Sequence, residues 1–499
     1  MAKLTRRELL AGIAGAGLAV AGGFTWRWVR SRPGPPESLV VNDVHSQLNE
    51  TAVKAIEHPT SLEDLVSIVK KANRKGEKLC IAGSRHAMGG QQFARDTILI
   101  DTRGMSQVID FDPDRGIVEV EAGIEWPELV NDLLNRQNHS PNGWSISSKQ
   151  TGADKLTLGG AVAANAHGRT LTSSPMIGSI ESLMLVDHRG DIIRCNRTEN
   201  PELFSLAIGG YGMFGIIHSV SLRLERRHKI ERQVELIRAD GLMGRFDERI
   251  ADGFTHGDFQ FVTDESDEAF LTRGVFSCYK PVPDTTPIKE GQETISDRTW
   301  EELVYMGHVE KAKAFKLYSD FYLETTGQVY WSDLSQIGGY FEDYHKRIDD
   351  RMNAPSPASE MITEIYVPRD RLADFLNEAA TNLRKSDSST IYGTVRLISE
   401  DKESFLRWAK QDYACVIFNL HVVHTTAGIQ TAANSFRMLI DLAIKRNGSY
   451  YLTYHRWATK QQLLACYPNF PEFLEKKLQY DPNELFQSEW YRHTKQLLA

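Results

Sequence analysis

The pattern of hydrophobic and polar positions predicts a helix near the start of the folded sequence. Apolar residues recur at intervals of three and four between positions 61 and 72, as on one face of a helix. Ser61 and Asp64 have the spacing of a capping box at its start, and Gly76 follows its last turn. Both ends of this helix are therefore marked in the sequence.

The pattern then changes to that of short strands. Apolar runs predict strands at 79–82 and 97–101, and partial alternation with glutamate predicts another at 117–122. Trp126-Pro127 opens a second amphipathic helix. Because strands and helices alternate, the fold class is α/β or α+β.

Composition and charge exclude several classes of protein. The 499 residues are 41% hydrophobic and 25% charged, which is typical of a globular protein and excludes a disordered or collagen-like chain. The formal charge is −8, and since the first 32 residues carry +5 the remainder carries −13, which argues against a nucleic-acid partner. The five cysteines form no CxxC pair, and no spacing of His, Cys, Asp or Glu indicates a metal site.

The first 37 residues resemble an export signal followed by a linker. Lys3, Arg6 and Arg7 precede the uncharged stretch 9–24, and the sequence around the two arginines resembles a twin-arginine signal. Sixteen residues make about 24 Å of helix, short of a hydrocarbon core of roughly 30 Å, so a cleaved signal is favoured over a span. The arginines at 27–32 are equally compatible with an uncleaved membrane anchor, which they would flank. We expect a periplasmic protein, either free or anchored to the membrane and facing the periplasm.

Three glycine-rich segments lie between positions 83 and 217. The first, 83–90, has three glycines in eight residues directly after a predicted strand, which lets backbone N–H groups converge on an anion such as a diphosphate. The second, 152–168, and the third, 209–217, combine glycine with small side chains that allow a large flat ligand to approach the backbone. Each segment alone is compatible with a tight turn. Together they indicate one large cofactor that is contacted repeatedly.

The order of these segments resembles that of the FAD flavoproteins of the vanillyl-alcohol-oxidase type. The motifs are Gly-Ser-Arg-His-Ala-Met-Gly-Gly at 83–90, Thr-Leu-Gly-Gly-Ala at 157–161 with a later His-Gly, and Gly-Met-Phe-Gly-Ile-Ile at 212–217. The C-terminal segment, 467–488, is similar to the ending of aldonolactone, alditol and decaprenylphosphoryl-ribose oxidases. The resemblance implies an α+β fold, with a two-subdomain PCMH-type FAD-binding domain and an antiparallel-sheet cap that binds the substrate.

The resemblance also implies domain boundaries and a cofactor site. It predicts an FAD-binding domain at 38–225, a cap at 226–450 and a return of the chain to the FAD domain at 451–499, after the signal and linker at 1–37. The residues implied to bind FAD are Gly83, Ser84, Arg85, His86, Ala87, Met88, Gly89, Gly152, Thr157, Gly159, Gly160, His167, Gly168, Ile216 or Ile217, and Tyr451. His86 aligns with the histidine that carries the flavin covalently in lactone and alditol oxidases, and decaprenylphosphoryl-ribose oxidases lack that histidine.

Candidate catalytic residues come from the predicted cap and tail. Tyr454 and His455 are the candidates for accepting a proton from the substrate. Arg396, Lys460 and Arg456 compete as the cation that stabilises the reduced flavin near N1. Arg396 lies on a strand similar to one that faces the substrate in alditol oxidases, but the glutamate that precedes that arginine by two residues in the family is threonine in this chain.

The expected function is oxidation of a CH–OH group of a sugar-like substrate, an aldonolactone or an alditol, by hydride transfer to flavin N5. The alternatives are a sugar-lipid oxidase of the decaprenylphosphoryl-ribose type, a cytokinin-type amine dehydrogenase and, in a different class, a secreted flavin- or carbohydrate-binding protein without turnover. The partner is a small molecule, and the electron acceptor is O2 or another oxidant. The membrane is a partner only through an N-terminal anchor.

Overall fold

A computed structural model of the protein describes residues 39–338 and 344–499. The predicted export signal and its linker lie outside the described residues, and so that prediction stays a prediction. Over the two described ranges, no helix has the length and apolar character needed to cross a membrane. Leu39–Ala499 forms a single unit by its backbone contacts.

The first elements confirm the predicted order of helix and strands. Helix α1 spans Leu62–Lys75 and ends three residues later than predicted. The Ser61 hydroxyl accepts from the Asp64 N–H at 3.1 Å, and Gly76 ends the helix with φ +66°. A parallel sheet of order β3-β5-β4 packs nearby; its strands are β3 (Ala55–Glu57), β4 (Leu79–Ala82) and β5 (Ile98–Asp101). A short pair, β1 (Val40–Val41) and β2 (Thr51–Ala52), precedes it.

A second, antiparallel sheet of five strands follows, in the order β10-β9-β11-β7-β6. Its strands are β6 (Val108–Asp112), β7 (Ile117–Glu121), β9 (Ile180–Val186), β10 (Ile192–Asn196) and β11 (Ile216–Arg223). Three helices lie between these strands in sequence: α2 (Trp126–Arg136), α3 (Leu158–Ala163) and α4 (Pro201–Ala207). The strands β8 (Trp144–Ser145) and β12 (Glu225–Arg226) form another short pair.

The largest sheet is antiparallel and has eight strands, in the order β16-β13-β15-β14-β18-β19-β17-β20. Its strands are β13 (Lys229–Arg238), β14 (His256–Phe261), β15 (Arg273–Val282), β16 (Val329–Trp331), β17 (Ala358–Pro368), β18 (Ser389–Ile398), β19 (Tyr413–Val423) and β20 (Ser449–Tyr450). The long central strands are rich in buried apolar residues, as expected for a sheet covered on both faces. The α+β class is therefore confirmed, whereas the division into two subdomains and a cap stays a prediction.

Helices pack around the eight-stranded sheet and close the chain. They are α5 (Leu242–Ala251), α6 (Asp297–Val309), α7 (Lys311–Glu324), α8 (Tyr344–Met352), α9 (Leu372–Leu383), α10 (Thr426–Ile444), α11 (Lys460–Cys466), α12 (Phe470–Tyr480) and α13 (Glu489–Leu498). All five cysteines are buried and unpaired, as expected from their scattered positions.

The C-terminal segment returns to the first sheet. The Leu79 N–H donates to the Leu485 carbonyl at 2.8 Å, and the Gln487 N–H donates to the Leu79 carbonyl at 2.8 Å. The N–H groups of Met88 and Gly89 both donate to the Thr453 carbonyl, at 3.1 and 3.2 Å. The loop that follows β4 is thus held in place by the last fifth of the chain.

Candidate active site

The glycine-rich loop after β4 has the features of an anion-binding loop. The backbone N–H groups of Ser84, Arg85 and Ala87 have no hydrogen-bond acceptor within the described part of the chain. Arg85 has φ +61°, a left-handed conformation that turns neighbouring N–H groups toward one side. A Cβ on Gly83 would lie 2.0 Å from the Thr157 hydroxyl oxygen, so only glycine fits there. The loop therefore offers free donors and no obstructing side chain.

The second glycine segment packs directly against the first. A Cβ on Gly159 would lie 2.6 Å from the Ala122 Cβ, and one on Gly168 would lie 2.1 Å from the Ser148 hydroxyl oxygen. The His86 Nε2 lies 2.8 Å from the Lys155 carbonyl oxygen and so joins the two segments. Glycine is therefore required at both places because the protein's own chain packs closely there, and the contact of this segment with a cofactor stays a prediction.

His86 presents one ring nitrogen as a base. A carbonyl oxygen only accepts hydrogen bonds, and so the Nε2 beside Lys155 carries the proton. The His86 Nδ1 then keeps its lone pair in the neutral ring, and it lies 2.8 Å from His45 Nε2, which donates to it. His45 thus fixes the form of His86 in which Nδ1 is nucleophilic.

Glu364 on β17 is the centre of a buried cluster of hydrogen bonds. The Tyr454 hydroxyl donates to its Oε1 at 2.9 Å, and the Tyr366 hydroxyl donates to its Oε2 at 2.8 Å. The His167 Nε2 lies 2.9 Å from the same Oε2. Cys415 is next to this pair, its sulfur 3.8 Å from Oε2. The cluster joins the second glycine segment, the eight-stranded sheet and the tail.

His167 and Glu364 share a proton. The His167 Nδ1 lies 3.1 Å from the Gly168 carbonyl oxygen, and so Nδ1 carries a hydrogen. The Nε2 and the carboxylate oxygen that face each other would then both be acceptors unless one proton lies between them. Burial raises the pKa of Glu364, but the charge and hydrogen bond of His167, with smaller contributions from Arg396 and Tyr366, together lower it by more, so that the net pKa lies below its ordinary value. Glu364 is therefore ionised and serves as the acceptor for the hydroxyl hydrogen of Tyr454.

Arg396 on β18 lies on the same side of the eight-stranded sheet as this cluster. It is 6% exposed, and its guanidinium donates to the Thr151 hydroxyl, beside Gly152. Its charge also lowers the pKa of Glu364, after the larger contributions of burial and His167. Of the three cations considered from the sequence, Arg396 is therefore the one that lies near the carboxylate.

The structure places two predicted catalytic residues elsewhere. His455 stacks on Phe436, and its Nε2 lies 3.2 Å from the Thr363 hydroxyl oxygen. Since successive residues of a strand point to opposite faces, Thr363 and Glu364 face opposite sides of the sheet. Lys460 is exposed and donates to the Leu498 carbonyl at 2.9 Å. Neither side chain is part of the Glu364 cluster.

Other predicted residues line or support the glycine segments. Arg456 donates to the Asn49 side chain at 3.3 Å, near the first loop. The Tyr451 hydroxyl donates to the Ala164 carbonyl at 2.7 Å, and Ile216 and Ile217 begin β11. The contacts of these residues with a cofactor stay predictions.

Comparison with known proteins decides the nature of the glycine segments. A family model described as FAD binding domain matches residues 53–196, the range that holds both segments. Residues 53–196 are thus similar to an FAD binding domain. The free N–H donors of the 83–90 loop and its close contact with Thr157 fit the diphosphate of that cofactor. The resemblance to FAD flavoproteins of the vanillyl-alcohol-oxidase type is confirmed for this domain, and FAD is the cofactor.

Relatives of the FAD-binding domain carry the names of oxidoreductases. "Cytokinin dehydrogenase 9" of Oryza sativa subsp. japonica is 29% identical over 195 residues, 37% of this chain and 36% of the relative. "L-galactono-1,4-lactone dehydrogenase, mitochondrial" of Arabidopsis thaliana is 28% identical over 195 residues, 39% of this chain and 31% of the relative. An "Uncharacterized oxidoreductase" of Rhodococcoides fascians is 28% identical over 178 residues, 36% of this chain and 39% of the relative. The chain thus matches about a third of the length of these relatives.

Sequence reasoning did not assign a role to Glu364. The residue belongs to the motif Glu-x-x-Val-Pro at 364–368, which resembles a strand of the family, but the motif alone does not say which way the glutamate faces. The available signal was a carboxylate placed directly before the buried run Ile365 to Val367. A buried carboxylate requires partners, and so such a residue marks a site.

Proposed function

We propose that the protein is an FAD-dependent oxidoreductase that oxidises a CH–OH group of a sugar-like substrate, an aldonolactone or an alditol. The FAD-binding domain and the dehydrogenase names of its relatives support the class of reaction. The proton-sharing pair of Glu364 and His167, with Tyr454 hydrogen-bonded to it, carries the proposal because hydroxyl oxidation requires a base. FAD, when bound, supplies an acceptor for the hydride at N5.

Each residue of the cluster has a separate task in this proposal. Tyr454 is partly exposed, and its hydroxyl receives the substrate proton while its own proton passes to Glu364. His167 stabilises the charge of Glu364 at 2.9 Å and takes up or returns the shared proton. Arg396 binds a substrate oxygen and orients the carbon that loses the hydride. Burial of Glu364 and His167 keeps water away from the pair.

The eight-stranded sheet is proposed as the cap. It carries Glu364 on β17 and Arg396 on β18, the two charged groups that would act on the substrate. The glycine segments 83–90 and 152–168 belong to the FAD-binding domain or border it. Substrate would therefore bind between the sheet and this domain, with 226–450 as the cap and 451–499 as the segment that returns to the FAD domain.

Covalent attachment of the flavin through His86 is part of the proposal. The His86 Nδ1 that accepts from His45 is unprotonated in the neutral ring, and once that hydrogen bond is released its lone pair can attack an electrophilic methyl carbon of the flavin. Holding a diphosphate alone would not require a histidine, because the free backbone N–H groups of the same loop already supply donors. The presence of His86 also weighs against the decaprenylphosphoryl-ribose type of oxidase, which lacks a histidine there.

A cytokinin-type amine dehydrogenase is the second candidate, because several relatives carry the name cytokinin dehydrogenase. Anaerobic stopped-flow spectroscopy of the purified flavoprotein separates the candidates. The flavin absorbance should bleach rapidly with an alditol or an aldonolactone. Bleaching by an N6-substituted adenine instead would establish the amine dehydrogenase, bleaching by a glycolipid alone would establish the sugar-lipid oxidase, and no bleaching by any of them would favour a binding protein. Mixing the reduced protein with O2 or with a quinone then identifies the acceptor.

We also propose that the protein is exported in folded form, with FAD bound. The support is the sequence at Arg6-Arg7 before an apolar stretch, together with a cofactor that must be inserted where FAD is made. The mature protein would then act in the periplasm, free or held by an N-terminal anchor.

A further inference from the structure

A second cluster of ligating side chains lies on the strand that carries Glu364. Glu360 is buried on β17, and its Oε1 lies 2.7 Å from the His308 Nε2 of α6 and 3.7 Å from the His421 Nδ1 of β19. These three donor atoms all lie within 4.8 Å of one another. Glu360 and Glu364 face the same side of the strand, about 13 Å apart at roughly 3.3 Å per residue. The cluster is therefore separate from the proposed catalytic base.

His308 has the orientation of a metal-binding histidine. Its Nδ1 lies 2.8 Å from the Val304 carbonyl oxygen, one turn earlier in α6, and so Nδ1 carries the hydrogen. In the neutral ring the lone pair is then on Nε2, which points at the Glu360 carboxylate. A histidine that binds a metal is usually held in this way, with its other nitrogen donating to a carbonyl. Two acceptors 2.7 Å apart need a cation between them, either a proton or a metal ion.

His421 completes the set of ligands. Its Nδ1 is buried and has no hydrogen-bond partner in the part of the chain that the structure describes. Two ligand atoms of a tetrahedral zinc ion lie about 3.3 Å apart, since each is about 2.0–2.1 Å from the metal. The distances from Glu360 Oε1 to the two histidine nitrogens, 2.7 and 3.7 Å, differ from this value by about 0.6 Å or less. Small side-chain rotations would therefore form the site.

The other carboxylate oxygen is held by a second layer of residues. The Tyr344 hydroxyl donates to Glu360 Oε2 at 2.6 Å, and the His345 Nδ1 lies 2.6 Å from the same oxygen. The carboxylate is therefore held in one orientation, with Oε1 aimed at His308 and His421.

We propose that His308, Glu360 and His421 bind a divalent transition-metal ion, with Zn2+ as the ion that best matches two imidazoles and one carboxylate. The His421 side chain is 19% exposed, which gives the ion a path from solvent and leaves a position for water as the fourth ligand. The ion would tie α6 to β17 and β19 and hold the helix against the sheet. The metal site does not depend on bound FAD.

A competing group of ligands lies in the Glu364 cluster. His167, Glu364 and Cys415 also have ligand atoms within 4.8 Å of one another, and all three are buried. Both oxygens of that carboxylate already have hydrogen-bond partners, whereas in the first group the His421 Nδ1 has none in the described part of the chain. The thiol of Cys415 also has a pKa raised well above its ordinary value by burial, which disfavours the thiolate that a metal needs. The Glu360 cluster is therefore the better site, and the experiment separates the two.

The test is metal analysis of the tag-free flavoprotein after equilibration with ZnSO4 and removal of unbound ion. Wild-type protein should hold about one zinc per chain, and Glu360→Gln and His421→Asn should each lower that content by more than about tenfold. Two matched controls, Cys415→Ser in the competing group and His424→Asn beside the cluster, should keep the zinc. The flavin content should stay at the wild-type level in every variant, which separates this test from the proposed reaction.

The zinc content of the wild-type protein and its variants can overturn the proposal. Zinc below about a tenth of an equivalent in wild-type protein, unchanged zinc in His421→Asn, or loss of zinc in Cys415→Ser would each overturn the proposal. If Glu360→Gln fails to fold, His421→Asn carries the test because this side chain is partly exposed. Chelation of the wild-type ion should also lower the melting temperature, and ZnSO4 should restore it.

Discussion

Replacing Tyr454 by phenylalanine separates a catalytic hydroxyl from a structural one, because Tyr366 offers a matched comparison. Both hydroxyls donate to Glu364, at 2.9 and 2.8 Å. Tyr366 is fully buried and stacks on Trp408, whereas Tyr454 is partly exposed. The proposed function therefore places substrate beside Tyr454 and not beside Tyr366.

The two variants should lose similar amounts of stability but differ greatly in the rate of flavin reduction. A hydrogen bond to a charged group contributes about 1.5–3 kcal/mol, and so each variant should lower the free energy of unfolding by that amount. General acid–base catalysis contributes about 10²–10⁴-fold, and so Tyr454→Phe alone should raise the barrier to flavin reduction by about 2.7–5.4 kcal/mol. We expect Tyr366→Phe to reduce the flavin within about tenfold of the wild-type rate.

Anaerobic stopped-flow measurements at saturating substrate give the rate constant of flavin reduction, and urea unfolding gives the stability. The FAD content of both variants should equal that of wild-type protein. A Tyr454→Phe variant that reduces its flavin within tenfold of wild type would refute the assignment of this hydroxyl. Equal slowing of both variants would show that the carboxylate needs two donors and that neither hydroxyl has a special role.

Four further predictions use other parts of the molecule. Acid-denatured protein should stay yellow and yield a flavin-bearing peptide that contains His86, and His86→Ala should release all its FAD; complete release from wild-type protein would exclude the bond. Arg396→Ala should lower kcat/KM by about 10²-fold or more, equal to about 2.7 kcal/mol, at constant FAD content, and unchanged kinetics would remove this residue from the substrate site. Burial lowers the pKa of His455 from 6.5 to about 3, so that between these values only the unfolded chain binds the proton. The stability contributed by His455 is therefore complete above pH 6.5 and falls by up to about 1.4 kcal/mol per pH unit toward pH 3. His455→Phe, which keeps the ring stacking, should make the free energy of unfolding, measured with urea, depend less on pH in that window. Replacing both Arg6 and Arg7 by lysine should abolish export measured by fractionation, and normal export would exclude the twin-arginine route.

Local signals were enough to predict α1 and the strands β4 and β5 of the first sheet, whereas the short strand β3 was not predicted. The cap at Ser61 and the glycine at 76 define α1 to within three residues, and the apolar run of β4 was predicted without error at 79–82. Both depend on contacts within a few residues, which the sequence contains directly. The glycine segments likewise predicted a large cofactor with an anionic group, and the resemblance of their motifs to a known family implied that it is FAD.

The catalytic cluster could be predicted only in part, because its members come from distant segments. Tyr454 and Arg396 were both candidates from the sequence, and the structure brings them near one carboxylate, Glu364, to which no role was assigned from the sequence. His455 follows Tyr454 directly, and only the three-dimensional path of the tail shows that its ring turns to the opposite face of β17. The Glu360 cluster brings together a helix and two strands, and no spacing in the sequence reveals it.

The attachment of the 83–90 loop to the tail sets the order of events during synthesis. The Thr453 carbonyl, which fixes Met88 and Gly89, and the Leu485 carbonyl, which pairs with Leu79, both emerge from the ribosome after nine-tenths of the chain has been made. A nascent chain that already contains every glycine of the FAD-binding domain therefore lacks the contacts that shape its loop. Capture of the flavin becomes a post-translational step, and a chain released early by a premature stop would be colourless.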